Sequence, residues 1–303
     1  MSQEYSLSII TVNFNGLADT CAFIDSIISR HIEAEVIIVD NGSKADEATA
    51  IAQRFPIPMV KCIRSEENLG FAGGNNLGIK AATGDYLLFL NNDTELKDDW
   101  NTEALIRRLQ SDEHIGMVCP KIRFAWDTCP IQFAGYTPLS RITMRNKGIG
   151  YEEEERGQYN TAHPTPYAHG AAMIVKREVI DKVGLMPDCY FLYYEEYDWS
   201  MMFRRADYEI WYEPACTIYH KESKSTGQNS PLKTYYITRN RLLFAKRNIP
   251  VCNRYLTYIY IGVVVALRDL IRYSLQRRTD LMKAVFTAIG DFACGRLGKH
   301  QFS

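Results

Sequence analysis

The amino-acid sequence predicts an α/β chain: a mostly parallel sheet with flanking helices, then a C-terminal helical extension. Three observations carry this. In the first half, short β-rich apolar runs alternate with helical patterns of about 10–15 residues, the signature of a parallel sheet. Those runs are apolar throughout, as in strands covered on both faces. The third is charge: from Lys233 to Ser303 there are 13 Lys/Arg and 3 Asp/Glu, net +10, whereas the preceding 232 residues carry 22 basic and 33 acidic, net −11.

The elements follow in order. Leu7–Val12 (LSIITV) is a strand and Leu17–Ser29 a helix. Glu35–Val39 is a second strand, stopped by the turn residues Asp40-Asn41-Gly42-Ser43, and Ala45–Arg54 is helical. Met59–Arg64 is a third strand, Gly70–Ala82 a glycine-rich loop and helix, and Tyr86–Leu90 a buried strand ending at Asn91-Asn92-Asp93. Thr94–Gln110 is expected to be helical throughout, Met117–Phe124 a strand, and Arg141–Thr165, rich in Gly and charge, a mobile loop ordering over ligand. Ala171–Lys176 is a strand, Arg177–Val183 and Glu195–Ala206 helices, and Ile210–Tyr219 a strand. From Leu232 three helices are expected, broken near Pro250 and Arg278. The division expected is one domain over 1–231, in two halves that meet near 110, and a basic helical segment over 232–303.

With 303 residues, 46% hydrophobic and 23% charged, the chain is neither disordered, collagenous nor polytopic. A net charge of −1 gives no whole-chain field for nucleic acid. Eight scattered cysteines contain no C-x-x-C pair, which points to reduced thiols, and the first residues lack the basic and apolar regions of a signal peptide. A cytoplasmic protein is the expectation. Tyr255–Leu267 is uncharged for 13 residues, short of the roughly 20 that span a bilayer. Arg254, Arg268, Arg272, Arg277 and Arg278 flank it, as in a helix lying on a membrane surface. Burial against the catalytic domain or a second subunit is the competing reading.

In an open parallel sheet, ligands bind outside the carboxyl ends of the strands. Four polar clusters fall there: Asn13–Gly16, Asp40–Ser43, Asn68–Asn76 and Asn91–Asp93. None is a G-x-G-x-x-G dinucleotide fingerprint or a phosphate loop ending in G-K-[ST]. Asp93 is either a ligand for Mg²⁺ or Mn²⁺ bridging a diphosphate, or the cap of a following helix. Glu195, Glu196 and Asp198 lie within four residues among aromatics, a setting for a general base or simply an acidic helix start. His220 closes an apolar run and is either structural or a ligand.

Together these residues resemble glycosyltransferase family 2, of the GT-A fold, and within it the bacterial rhamnosyltransferase-like branch. The resemblance runs from about Ser8 to Arg247. It rests on SIITVNFNG, EVIIVDNGS, NLGFAGGNNLGIKAATGDYLLFLNND, GAAMIVKREVIDKVG, FLYYEEYDW, the His220–Gly227 stretch and Arg239-Asn240-Arg241. It implies inverting transfer of a sugar from a nucleoside diphosphate donor to a glycan or lipid-linked acceptor, with a divalent cation, Mg²⁺ or Mn²⁺. Asp40 and Asn41 would meet the nucleotide, flanked by Val12 and Asn13 and bordered by Asn68, Gly70, Asn75, Asn91 and Asn92. Asp93 matches the last Asp of the family's DxD motif, here Asn-Asn-Asp, and His220 a cation-binding His. Glu196 matches the catalytic base, with Glu195 or Asp198 as sharers of the role, and Gly170 and Ala171 match small residues before the acceptor-side strand. The resemblance also implies work at the inner face of the cytoplasmic membrane. dTDP-rhamnose leads the donors, with UDP-hexoses next. A nucleotidyltransferase, which would want a basic glycine-rich loop where NFNG stands, and a non-catalytic sugar-nucleotide binding module are the rivals; a homo-oligomer is left open.

Overall fold

The computed structural model describes residues 5–222 and 230–300, so Ser223–Gly227 of the His220–Gly227 stretch lie outside the described residues. The first half alternates as β1 (Leu7–Asn13), α1 (Leu17–Ser29), β2 (Glu35–Asn41), α2 (Glu47–Arg54), β3 (Val60–Ser65), α3 (Gly70–Ala81) and β4 (Tyr86–Leu90). The middle comprises β5 (Thr94–Glu95), α4 (Thr102–Gln110), β6 (Ile115–Phe124), β7 (Ile131–Phe133), β8 (His163–Pro164), β9 (Ala172–Lys176), α5 (Arg177–Val183), α6 (Glu195–Arg205) and β10 (Glu209–His220). The chain then runs through α7 (Pro231–Asn248), α8 (Val251–Ile259), a π-helical turn over Tyr260–Val265, α9 (Ala266–Leu275) and α10 (Thr279–Ala293).

One sheet takes the order β3–β2–β1–β4–β9–β6–β10–β5, with β7 beside β6 and β8 beside β10. The pairs β3–β2, β2–β1, β1–β4 and β6–β10 are parallel, while β9 enters antiparallel between β4 and β6. Ile9, Ile10, Val36–Val39, Leu87 and Leu88 are buried, and each such large side chain contributes about 1.5–3 kcal/mol of transfer free energy. Helix α3 lies close on β1 because its glycines recur at helical spacing. A Cβ on Gly74 would come within 2.8 Å of Val12, and one on Gly78 within 2.3 Å of Ile10.

Two expectations are corrected. Residues 94–110 are not one helix. Thr94 and Glu95 pair antiparallel with His220 and Tyr219, and the helix begins only at Thr102, where the Asn101 side chain accepts from Ala104 N. The 141–165 segment is also no free lid. Lys121 pairs with Glu155 at 2.8 Å, the Tyr212 hydroxyl donates to Tyr159 O, Glu153 O receives Ile131 N, and 163–164 join the sheet. Its charged run is fastened to strands that periodicity along the loop cannot reveal.

The three C-terminal helical stretches break at Pro250 and Arg278 as expected, and they are tied to the sheet-bearing part. Buried Arg239 donates to Tyr190 O at 2.8 Å and to Gly298 O at 2.7 Å, and lies over the rings of Tyr235 and Tyr236. Carbonyls and π-faces thus satisfy a guanidinium withdrawn from water. Among the described residues no helix is long and apolar enough to cross a membrane. The α8–α9 stretch instead exposes Tyr255, Ile259, Val263, Leu267 and Ile271 at every fourth position, one apolar stripe facing solvent.

Candidate active site

The ends of β1 and β2 and the loop before α3 form one polar rim. Its members largely hold one another. Asn13 donates to Glu47 Oε2 at 2.7 Å and accepts from the Thr20 hydroxyl at 2.8 Å. Asp40, fully buried, takes Arg64 Nη1 at 2.6 Å and the amides of Ser43 and Ala48. Asn41 accepts from Leu69 N and donates to Gly70 O and Asn68 Oδ1, while Asn68 Oδ1 accepts from Gly70 N. Asn75 donates to Phe71 O. These side chains therefore build the turns bordering the cleft. Gly70 has φ +76, and a Cβ there would sit 2.1 Å from Phe191 O, so the glycine-rich loop presses directly on the segment that leads into α6.

At the end of β4, Asn92 donates to the Thr20 hydroxyl and Asn91 Nδ2 lies 3.3 Å from His220 Nε2. Asp93 is buried, and its Oδ1 is 3.1 Å from the same Nε2. Because β5 follows at once, Asp93 caps no helix. His220 Nδ1 meets Gln132 Oε1 at 2.8 Å, a contact that would keep the proton on Nδ1 and leave Nε2 to ligate a cation held by Asp93. One carboxylate oxygen and one imidazole nitrogen side by side fit a divalent cation, and the nitrogen suits Mn²⁺ better than Mg²⁺. No group of three His, Cys, Asp or Glu able to hold a metal occurs among the described residues. The further ligands would be donor phosphates and water, as is usual for hard cations at diphosphates.

The acidic residues of α6 part company. Asp198 is fully buried and turned to α7, where it takes Asn248 Nδ2 at 2.8 Å, the Tyr190 hydroxyl at 3.1 Å and Arg247 Nε. That removes it from the cleft, and its expected share in base chemistry is corrected to an ion pair holding α6 on α7. Glu195 is 3% exposed, with one carboxylate oxygen lacking a hydrogen-bond partner among the described residues. Glu196 is half-buried and opens to the cleft, its Cγ 4.0 Å from where a Gly170 Cβ would stand. Burial raises both carboxyls above the ordinary range, and the charge of Glu196 raises Glu195 further. Each carboxyl therefore holds its proton to a higher pH than a free Glu does.

Sequence reasoning missed His169 and the action of Asn240. The His169 ring is 6.4 Å from His220 and stacks on Tyr136, which in turn meets Tyr197. Burial, then the nearby His220, push its pKa down to about 3, so it lines the cleft as a neutral imidazole. His169-Gly170 thereby bridges the Asp93–His220 pair and Glu196. Before α6, Phe191, Tyr193 and Tyr194 all have φ between 68 and 79, a left-handed conformation unfavourable for large residues. Fully buried Asn240 holds them, its amide donating to the carbonyls of Tyr190, Leu192 and Tyr193 at 3.0, 2.7 and 3.0 Å. Arg239-Asn240-Arg241 was the available signal. Asn240→Ala should cost about 1–3 kcal/mol in unfolding free energy through lost hydrogen bonds to buried carbonyls. It should also lower kcat more than it raises the donor KM. Chemical denaturation with steady-state kinetics checks both, and a loss of stability with wild-type kcat would make Asn240 merely structural.

Known proteins share the family and the fold. The profile described as glycosyl transferase family 2 matches residues 8–184. The low-salt glycan biosynthesis hexosyltransferase Agl10 of Haloferax volcanii is 24% identical over 93% of this chain and 90% of its own length. An uncharacterized glycosyltransferase of Haemophilus influenzae is 40% identical over 46% of this chain and 49% of its own. Among solved structures, GalNAc-T7 with UDP, GalNAc and Mn²⁺ aligns at TM-score 0.61 and 18% identity, covering 77% of this chain and 48% of that one. The mannosyltransferase PcManGT of Pyrobaculum calidifontis, solved with GDP-Man and Mn²⁺, aligns at TM-score 0.55 and 14% identity over 97% of this chain and 76% of its own. The structural likenesses speak for the fold, and the profile spans more than half of the sequence: the chain belongs to glycosyl transferase family 2.

Proposed function

We propose that the protein moves a sugar from a nucleoside diphosphate donor to a hydroxyl of a glycan or lipid-linked acceptor, inverting the anomeric carbon in one displacement. The observation that carries this is the cleft: an ionisable, partly accessible Glu196 stands across His169-Gly170 from the Asp93–His220 pair. Glu196 takes the acceptor hydroxyl proton as that oxygen forms its bond to the anomeric carbon. The bond from that carbon to the diphosphate oxygen breaks on the opposite face. Asp93 and His220 would hold the cation. When bound, it supplies positive charge to the leaving diphosphate. Asn13, Asp40, Asn41, Asn68, Gly70 and Asn75 shape the wall for the nucleotide, and the neutral His169 adds no competing charge. The bound UDP and GDP-Man of the two structural neighbours support a nucleotide-sugar donor, and their Mn²⁺ supports the cation. The test is a panel of nucleotide sugars, led by dTDP-rhamnose and the UDP-hexoses. It reads melting temperature with and without Mn²⁺, then slow release of nucleoside diphosphate. No stabilisation and no release by any donor would reject the reading.

The division of labour we assign is catalysis over 1–231 and attachment over 232–303, at the inner face of the cytoplasmic membrane. The exposed stripe on α8–α9 with its neighbouring arginines supports the second part, because apolar area and Arg together suit an anionic bilayer surface. Removing the whole tail is a poor test, since Arg239 of α7 binds Gly298 O beyond α10. The double variant Ile259→Glu with Ile271→Glu changes only exposed positions. It should abolish sedimentation with anionic vesicles and leave the melting temperature unchanged. Equal sedimentation of wild type and variant, or none by either, would reject the attachment.

A further inference from the structure

A second cavity, of about 270 Å³, lies where α7, α9, α10 and the turn at Met144-Arg145 meet. Arg145, Arg241 and Arg268 line it, together with the apolar side chains of Ile261, Val265 and Val285. Its single carboxylate, Asp269, is taken by Arg268 at 2.6 Å. Arg241 is 7% exposed; its Nη2 donates to Thr143 O, and its Nε, fully buried, has no partner among the described residues. Arg145 is exposed and pairs with no carboxylate among them. Three guanidiniums against one carboxylate leave an excess of positive charge beside apolar walls, which is unfavourable until an anion enters. Burial, with Arg145 and Arg268 among the nearby charges, indeed lowers the pKa of Arg241. The planar N–H fork of arginine matches phosphate oxygens two at a time, a match that other anions with fewer oxygens use less fully.

Two neighbouring features say what would carry that phosphate. The helix that supplies Ile261 and Val265 to the wall also exposes Ile259, Val263, Val264 and Leu267, so apolar surface continues outward from the charged pocket. On the inner side Tyr194 lines the cavity and immediately precedes Glu195-Glu196, its ring 5.7 Å from that of Tyr197. A ligand seated here has its anionic group beside the catalytic cleft and its apolar part along α8–α9.

We propose that this cavity binds the phosphate or diphosphate of an acceptor esterified to a long apolar alcohol, and so places the acceptor beside Glu196. The word acceptor rests on the transferase reading; the binding itself does not. The test uses the full chain in EDTA, so that a cation-held diphosphate in the donor cleft does not contribute. Geranyl diphosphate, inorganic pyrophosphate and geraniol are titrated calorimetrically. Geranyl diphosphate should bind at least tenfold more tightly than pyrophosphate, and geraniol should not bind measurably. Arg145→Gln combined with Arg268→Gln should weaken geranyl diphosphate at least tenfold with an unchanged melting temperature; Arg241 is left in place because it is buried. Equal affinity for pyrophosphate would overturn the apolar-tail assignment. No binding, or binding indifferent to the double variant, would overturn the site. Cation-dependent release of nucleoside diphosphate by the wild type, measured without acceptor, reports the transferase reading separately.

Discussion

Asp93→Ala is expected to leave a folded protein in which sugar transfer is all but abolished. Asp93 is the carboxylate paired with His220 Nε2, and no group of three His, Cys, Asp or Glu able to hold a metal in its place occurs among the described residues. A cation at a developing charge is worth several kcal/mol, and each 1.36 kcal/mol is tenfold in rate, so a loss of 10³-fold or more is the order expected. The fold should persist because the backbone ties at this strand end remain: Lys221 N still donates to Asp93 O, and β5 still pairs with β10. Asp93→Asn keeps the shape and removes only the charge, and it should fall with the Ala variant. The measurement is kcat/KM across a Mn²⁺ titration with circular dichroism as the folding control. Turnover at the wild-type level by either variant would sink the cation assignment.

Glu196→Gln is the second large effect. It should retain donor affinity and lose about 10²–10⁴ in kcat, the usual contribution of a positioned base. The pH profile supplies the sign. The base works as carboxylate, and burial raises its pKa, so the wild-type rate should be lost as pH falls through a midpoint well above the roughly 4.3 of a free Glu. The Gln variant should show no such limb. Glu195→Gln should be milder, because its side chain is 3% exposed and so out of an acceptor's reach. A crippled Glu195→Gln beside an active Glu196→Gln would exchange the two roles.

Much of this protein is readable along the chain. Strands β1, β2 and β4 are largely apolar runs that stop at Asn or Asp, and Gly74 and Gly78 recur at the spacing that lets α3 lie on β1. Such signals are local: they depend on side-chain period and turn chemistry within a few residues. The breaks at Pro250 and Arg278 are of the same kind. The ordered set of motifs is what carries the resemblance to the family.

Other features depended on partners far away in sequence. Thr94-Glu95 became a strand because His220 and Tyr219 lie beside it, and the charged loop over 152–155 is fastened by Lys121. Periodicity along one segment carries no information about which distant segment offers it hydrogen bonds. The acidic triplet shows the same limit. On paper Glu195, Glu196 and Asp198 are near neighbours with similar chemistry. The helix turns them to different surroundings: Asp198 to Arg247 and Asn248, Glu195 into a buried space, and Glu196 to the cleft beside Gly170. The sequence by itself determined the residue types, the alternation of elements and the family. Only the tertiary structure decided which carboxylate is ion-paired, which is buried and which faces the cleft, because desolvation and ion pairing are set by what surrounds a group in space rather than by its place in the chain.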